Sequence, residues 1–378
     1  MRSSTGQHWI ALDHVRAVAA FLVFTWHFMH STNGYPVAVE GAPAFFPLAI
    51  LDEGHTGVAL FMTLSGYLFA KLLEGRAVRY PLFFLNRALR LAPLMVVAIL
   101  IADLDRYLRT GEVAVVAPFV TVAAGFVSLA PLANGLWSIV VETHFYLVLP
   151  LLMMISRDNR WALLIVVGAA LAVRLGSSPL GENAREASYW TIFGHIDQFI
   201  LGIFAFQNRA IVRGRHRLAA VTALGFALFY YWFDAAGGLY GMRGEGWHAP
   251  VWAVLPTIEG AAYGLLIAYY DASFRPRDTG VSRLIGKAGA YSYSIYLLHF
   301  FVVFRMARFI DEHIMGLSNF YIACLWSLVC FASMVPFAQL CFRWIEAPFL
   351  KLRRPYSRPL SPREPPALAI DGSGASEA

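Results

Sequence analysis

Charge is scarce in this chain. Of its 378 residues only 14% are Asp, Glu, Lys or Arg, whereas 58% are hydrophobic, and the mean hydropathy is +0.57. A water-soluble domain carries roughly a quarter charged residues, so that class is excluded. Cysteine is scarce as well. Cys324, Cys330 and Cys341 are the only three. All fall in the last apolar stretch and none has metal-ligand spacing, so they are expected as buried helix residues with no metal site. No convincing internal repeat is visible. The net charge of +6 is spread over short loops, which suits orientation in a bilayer better than nucleic-acid binding.

What is abundant is apolar sequence in runs near the roughly 20 residues that cross a bilayer. The predicted fold class is an all-α polytopic membrane protein with about ten transmembrane helices. They are placed at about 13–31, 55–73, 84–103, 136–155, 161–177, 190–208, 218–235, 251–271, 289–308 and 319–342. The first segment is too polar for a cleavable signal, with Asp13, Arg16 and His27, and no small-residue cleavage site follows it.

Basic residues set the expected orientation. With both termini cytoplasmic, most of the 30 Lys and Arg residues fall on the inner side, including Arg87, Arg90, the loops 209–217 and 275–287, and Arg343 to Arg363. Arg106, Arg109, Arg174, Arg185, Arg243, Arg305 and Arg308 remain outside. The apolar stretch 113–131 holds Pro118 and Pro131. Counting it as a span would put the two basic loops outside, against the positive-inside rule. It is therefore expected to be an interfacial or re-entrant segment on the outer side. One transmembrane domain is expected over 1–354. A disordered cytoplasmic tail is expected over 355–378, where Pro, Ser and Gly dominate.

Two ionisable residues stand in the first span. Arg16 and His27 are eleven residues apart, about three turns plus 20°, so both leave one helix face about 16 Å apart along the axis. Such groups are costly in lipid unless they face a cavity or a partner. A structural Arg and a packed His is the plain alternative.

Further motifs follow in order. Ala11-Leu-Asp-His-Val-Arg16 precedes His27. Gly57-Val-Ala-Leu-Phe-Met-Thr-Leu-Ser65-Gly66-Tyr67 lies in the second span and Arg87-Ala-Leu-Arg90-Leu-Ala-Pro93 opens the third. Asn134-Gly-Leu-Trp137-Ser138-Ile-Val-Val-Glu142-Thr-His-Phe-Tyr146 opens the fourth. Tyr291-Ser-Tyr-Ser294-Ile-Tyr296-Leu-Leu-His299 and Glu346-Ala-Pro348 close the series. This ordered set, covering residues 11 to 348, resembles the acyltransferase-3 family of integral-membrane acyltransferases. It departs from the family at Ala59, where an acidic residue is frequent, at Thr143, where a second Glu is, and at His195-Ile-Asp197, where Arg-x-Asp is common.

The resemblance implies transfer of an acyl group, most often acetyl, from cytoplasmic acyl-CoA to a hydroxyl of an extracytoplasmic carbohydrate or glycolipid. It implies a multi-pass protein of the inner or plasma membrane, with acyl-CoA, the acceptor and the bilayer as partners. No metal and no nucleic acid are expected. Without an appended outer domain, the chain is expected to act alone or to hand over to a separate protein. His27 is the expected general base, since a neutral imidazole can take a hydroxyl proton and return it to a leaving thiolate. Carrying the acyl group itself is the other route. Arg16 can hold a donor phosphate or an oxyanion, with Asp13 orienting it. Arg87 and Arg90, one turn apart, suit the phosphates of coenzyme A or simple anchoring at the inner face.

Glu142 forms a polar stripe with Ser138 and Tyr146, and can orient the acceptor or pair with a cation from another helix. His299 can line the tunnel, assist the base or serve structure. Tyr146, Ser138, His299, Ser294 and Trp137 are expected on the substrate side. Ser65 and Gly66 read as a close packing contact. A transporter of a small polar or glycolipid substrate is the alternative function, and a non-catalytic assembly protein a third. The missing repeat weighs against the transporter.

Overall fold

In a bilayer each backbone N–H and C=O must be satisfied within its own segment, so apolar runs of this length fold as helices. A computed structural model describes residues 9–31, 35–38, 42–112, 116–128, 135–177, 184–242 and 248–359. In chain order the helices are α1 (Ile10–Met29), α2 (Ala49–Asp52), α3 (Gly57–Leu73), α4 (Tyr80–Thr110), α5 (Val116–Ser128), α6 (Leu136–Asp158), α7 (Ala162–Ser177), α8 (Ala184–Trp190) and α9 (Ile192–Gln207). They continue with α10 (Arg209–Val212), α11 (His216–Ala235), α12 (Gly238–Gly241), α13 (His248–Ser273), α14 (Gly280–Ala290), α15 (Ser292–Leu298), α16 (Val303–His313), α17 (Phe320–Cys341) and α18 (Ala347–Leu350). A π-helical turn, Phe342–Glu346, joins the last two.

Helix runs through every stretch expected to span. Among the described residues, six helices are long and apolar enough to cross a membrane, or seven if one bent pair counts as a single span. Two expected spans, α7 and α9, are shorter apolar helices. The stretch 289–308 is not one helix. It is divided between α14, α15 and α16, with a 3-10 turn at His299–Phe301 and a 58° bend. The tighter 3-10 turn breaks the α-helical ladder at that place. The doubtful stretch 113–131 contains α5, whose 13 residues reach only about 20 Å, less than the hydrocarbon core. Residues 113–115 and 129–134 lie outside the described residues.

α1 packs against α3, α13, α14, α15, α16 and α17, so its polar side chains face protein. Small residues allow the closest crossings. A Cβ on Gly66 of α3 would stand 1.9 Å from the Phe199 carbonyl oxygen, and one on Gly202 of α9 would stand 2.0 Å from that of Thr63. The two glycines thus fix one reciprocal backbone contact. Gly289 of α14 meets the Asp13 carbonyl of α1 in the same way.

A buried ion pair adds a second tie. Arg174 of α7 donates to Asp197 of α9 at 2.7 Å and to the Ala253 carbonyl of α13 at 2.8 Å. His195 stands two residues before this Asp, and the guanidinium that pairs with Asp197 arrives from α7. His195 turns to Gln198 and the Tyr189 carbonyl.

Two expectations need correction. Only Cys330 is fully buried, while Cys324 and Cys341 are half-buried, because α17 turns much of its surface outward. The ordered chain also does not stop at Pro355. Tyr356 is buried, and β2 (Ser357–Pro359) pairs antiparallel with β1 (Arg76–Val78). This pairing gives the segment long-range partners that its Pro-rich composition does not announce. The rest of the expected tail, 360–378, lies outside the described residues.

Gly66→Ala is expected to destabilise the protein by about 1–3 kcal/mol through overpacking at the α3–α9 crossing. Gly168→Ala, with open space around its Cβ, serves as the control. Thermal unfolding in detergent reads both, and equal midpoints would contradict the close approach.

Candidate active site

Polar residues from α1, α3, α4, α6 and α15 converge on a cavity of about 210 Å³. Four guanidinium groups line it: Arg16, Arg87, Arg90 and Arg353. Arg16 donates to Asp13 at 2.5 Å. The Asp13 backbone meets Gly289, so α14 fixes the pair from behind. Arg90 bonds Glu346, which is fully buried in the π turn and also accepts from Ser294. Arg87 lies over the rings of Phe69, Phe83 and Tyr146, 5.2–6.0 Å from their centroids, and its buried Nε has no hydrogen-bond partner. A guanidinium among aromatic faces is stabilised without its N–H donors being used up.

Glu142 of α6 lines the same cavity. Tyr146 donates to it at 2.5 Å and Ser65 at 3.3 Å. Ser65 is therefore a cavity residue, whereas Gly66 beside it is the packing contact. Ser138 also lines the cavity, but its hydroxyl pairs with that of Tyr296 at 2.7 Å and with the Gly135 carbonyl, not with Glu142. Trp137 lies on another face of α6, buried against Tyr189, Trp190 and His195.

His27 and His299 form a second centre. His299 Nδ1 lies 2.6 Å from the Tyr296 carbonyl, and His27 Nδ1 lies 2.8 Å from the Val23 carbonyl. Both carbonyls only accept, so each Nδ1 carries the proton. His299 Nε2, 3.2 Å from His27 Nδ1, is then a second acceptor for that same proton. This assignment leaves the lone pair of His27 on Nε2. Phe300, 4.4 Å away between ring centroids, and Trp26, 4.6 Å away, wall the imidazole. His299 sits at the 3-10 turn, so the break in the ninth expected span is what brings the two rings together.

Arg16 lines the cavity, but His27 and His299 are not among its lining residues. Tyr296 stands between, because it lines the cavity and its ring lies 5.9 Å from that of His299. The bonds to Ser138 and Gly135 hold its phenol there.

Of the residues singled out in the sequence, Arg16, Arg87, Arg90, Glu142, Tyr146 and Ser138 share one cavity. His27 and His299 meet beside it. Ser294 supports Glu346, and Trp137 sits in an aromatic cluster. Sequence reading assigned no role to Glu346 or Arg353, and it took Ser65 for a packing contact, whereas Ser65 lines the cavity. Glu346 lay in a recognised motif, and Ser65 shares a face with Leu68, Phe69 and Leu72, which all line the cavity. Arg353 had no local signal.

Among the described residues no His, Cys, Asp and Glu cluster suits a metal ion. A helical membrane protein with a basic cavity beside a paired imidazole defines the class. The model of the acyltransferase domain of the acyltransferase-3 family matches residues 9–341, and the chain belongs to that family. It is thus a multi-pass membrane acyltransferase. Searches of curated proteins and of solved structures each found no match.

Glu346→Ala would leave Arg90 without its carboxylate and Ser294 without its acceptor. A loss of about 3–5 kcal/mol is expected for breaking such a buried pair. Thermal unfolding in detergent measures it, and a variant as stable as the parent would contradict the assignment.

Proposed function

We propose that the protein is an O-acyltransferase that moves an acyl group, acetyl in the first instance, from cytoplasmic acyl-CoA to a hydroxyl of an extracytoplasmic carbohydrate or glycolipid. One observation carries the reading: a cavity rich in guanidinium groups lies one aromatic layer from a His whose Nε2 lone pair is unspent. In this reading ten segments cross the inner or plasma membrane and both termini are cytoplasmic. α5 lies at the outer interface or re-enters it. The orientation rests on the excess of basic residues in the loops assigned to the inner side.

Acyl-CoA is too charged to cross lipid, so its phosphates stay at the inner mouth. Arg87 and Arg90 hold them, with Arg16 deeper in the cavity. The pantetheine arm carries the thioester inward, which requires Tyr296 to turn away from Ser138. The acceptor comes from the outer side. His27 Nε2 takes the proton of its hydroxyl while the oxygen attacks the thioester carbonyl. The C–S bond then breaks and the thiolate receives that proton from His27. His299 holds the His27 ring through Nδ1, so Nε2 keeps its aim. Glu142, with Tyr146 and Ser65, orients the polar groups of the entering substrate. No metal takes part in these steps.

Transport of a small polar or glycolipid substrate is the second reading, favoured by buried polar residues in the spans. It is disfavoured by the pairing of a base with phosphate-type ligands in one molecule.

His27→Ala, reconstituted in lipid, is expected to fold and to lose acetyl transfer by at least about 100-fold. Transfer of radiolabelled acetyl to a glycan acceptor measures this, and full activity would sink the base assignment. The double variant Arg87→Ala, Arg90→Ala is expected to raise the donor KM by about 10-fold or more while moving the acceptor KM little. Steady-state kinetics with each substrate varied decides it, and an unchanged donor KM would contradict the phosphate site.

A further inference from the structure

The charge balance of the cavity is uneven. Asp13 compensates Arg16 and Glu346 compensates Arg90. Arg87 and Arg353 are the two lining guanidinium groups with no carboxylate bonded to them, and each has a buried Nε without a hydrogen-bond partner. Burial, with Arg87 and Arg90 nearby, pushes the pKa of Arg353 down from its usual value. Its positive charge is thus under-compensated where it stands.

Arg353 is also held in place by an unusual route. It lies just beyond α18, on chain that returns toward the start of α4. The Asn86 side chain, fully buried, donates to the Arg354 carbonyl at 2.7 Å and accepts from the Arg354 N–H at 3.1 Å. The Arg79 N–H donates to the Tyr356 carbonyl at 2.8 Å, and the buried Tyr356 ring packs on Phe83. β1 and β2 then complete the clasp, with Arg76 bonded to Ser357. Asn86 precedes Arg87 and Arg354 follows Arg353, so one side-chain amide joins the two backbone segments that carry these cavity-lining arginines.

We propose that Arg353, delivered by this clasp, is a phosphate ligand for the nucleotide part of the acyl donor, acting together with Arg87. The inference rests on the donor reading above and adds a residue from the far end of the chain to it. Two desolvated guanidinium groups with spare N–H donors fit a phosphate dianion or a pyrophosphate, to which a planar fork can bond through two atoms. The clasp makes this site conditional on the C-terminal segment being docked. Asn86 is a positioning residue in this scheme.

The test uses the full chain in lipid nanodiscs and two donors, acetyl-CoA and acetyl-pantetheine, which lacks the nucleotide phosphates. Arg353→Ala is expected to raise the KM for acetyl-CoA about 10- to 100-fold and to leave that for acetyl-pantetheine within about twofold. Arg353→Gln keeps most of the side chain and drops its charge, and carries the same test should alanine release the clasp. Lys351→Ala, which removes an exposed charge nearby, is expected to leave both constants unchanged. Equal losses with both donors, or an equal effect of Lys351→Ala, would overturn the proposal. If Arg87→Ala shows a phosphate-dependent loss and both Arg353 variants do not, the donor reading stands and the role of Arg353 falls. If the parent protein does not prefer acetyl-CoA over acetyl-pantetheine, both fall.

Discussion

Positive charge held away from water is the constraint around which this structure is arranged. Four guanidinium groups line one small cavity between helices, and each needs an answer to its desolvation. Asp13 and Glu346 answer two of them. Aromatic faces answer Arg87, and Arg353 stays under-compensated. An arrangement of this kind is poor economy for stability alone, since apolar residues of the same volume pack as well without the desolvation cost. It is a good arrangement for a protein that takes up a polyanion, because the ligand supplies the missing charge.

The rest of the fold serves that cavity and the imidazole beside it. Gly66 and Gly202 let α3 and α9 approach backbone to backbone, and Gly289 does the same for α14 against Asp13. The π turn directs Glu346 at Arg90, and the 3-10 turn places His299 against His27. Departures from the regular α-helix thus occur where polar side chains have to be aimed. Tyr296 joins the two centres: its ring borders the cavity, while its carbonyl holds His299. Movement of this one residue is what the proposed reaction requires.

Much of this was legible in the sequence. Ionisable residues in otherwise apolar segments marked Arg16, His27, Glu142 and His299, and the helical class followed from composition and run length. The spacing of Ser138, Glu142 and Tyr146 placed them on one side of α6, although Ser138 then found Tyr296 in place of Glu142. What stayed hidden depends on contacts far apart in the chain. Arg353 reads as one more basic residue at the inner face until Asn86, 268 positions from Arg354, is seen to hold the segment. The bend at His299 was hidden too, because Ser294 to Phe301 has the apolar composition of an unbroken helix. Helix propensity does not report the tertiary partner that makes a break worthwhile.

The central claim is that the basic cavity holds the phosphates of a thioester donor whose acyl carbon reaches His27. The most direct measurement is a structure of the protein in nanodiscs with coenzyme A bound. The account predicts density for the phosphates against Arg87, Arg90 and Arg353, with the thiol directed past a displaced Tyr296 toward His27 Nε2. Coenzyme A bound elsewhere, or seated in the cavity with its thiol pointing away from His27, would contradict it.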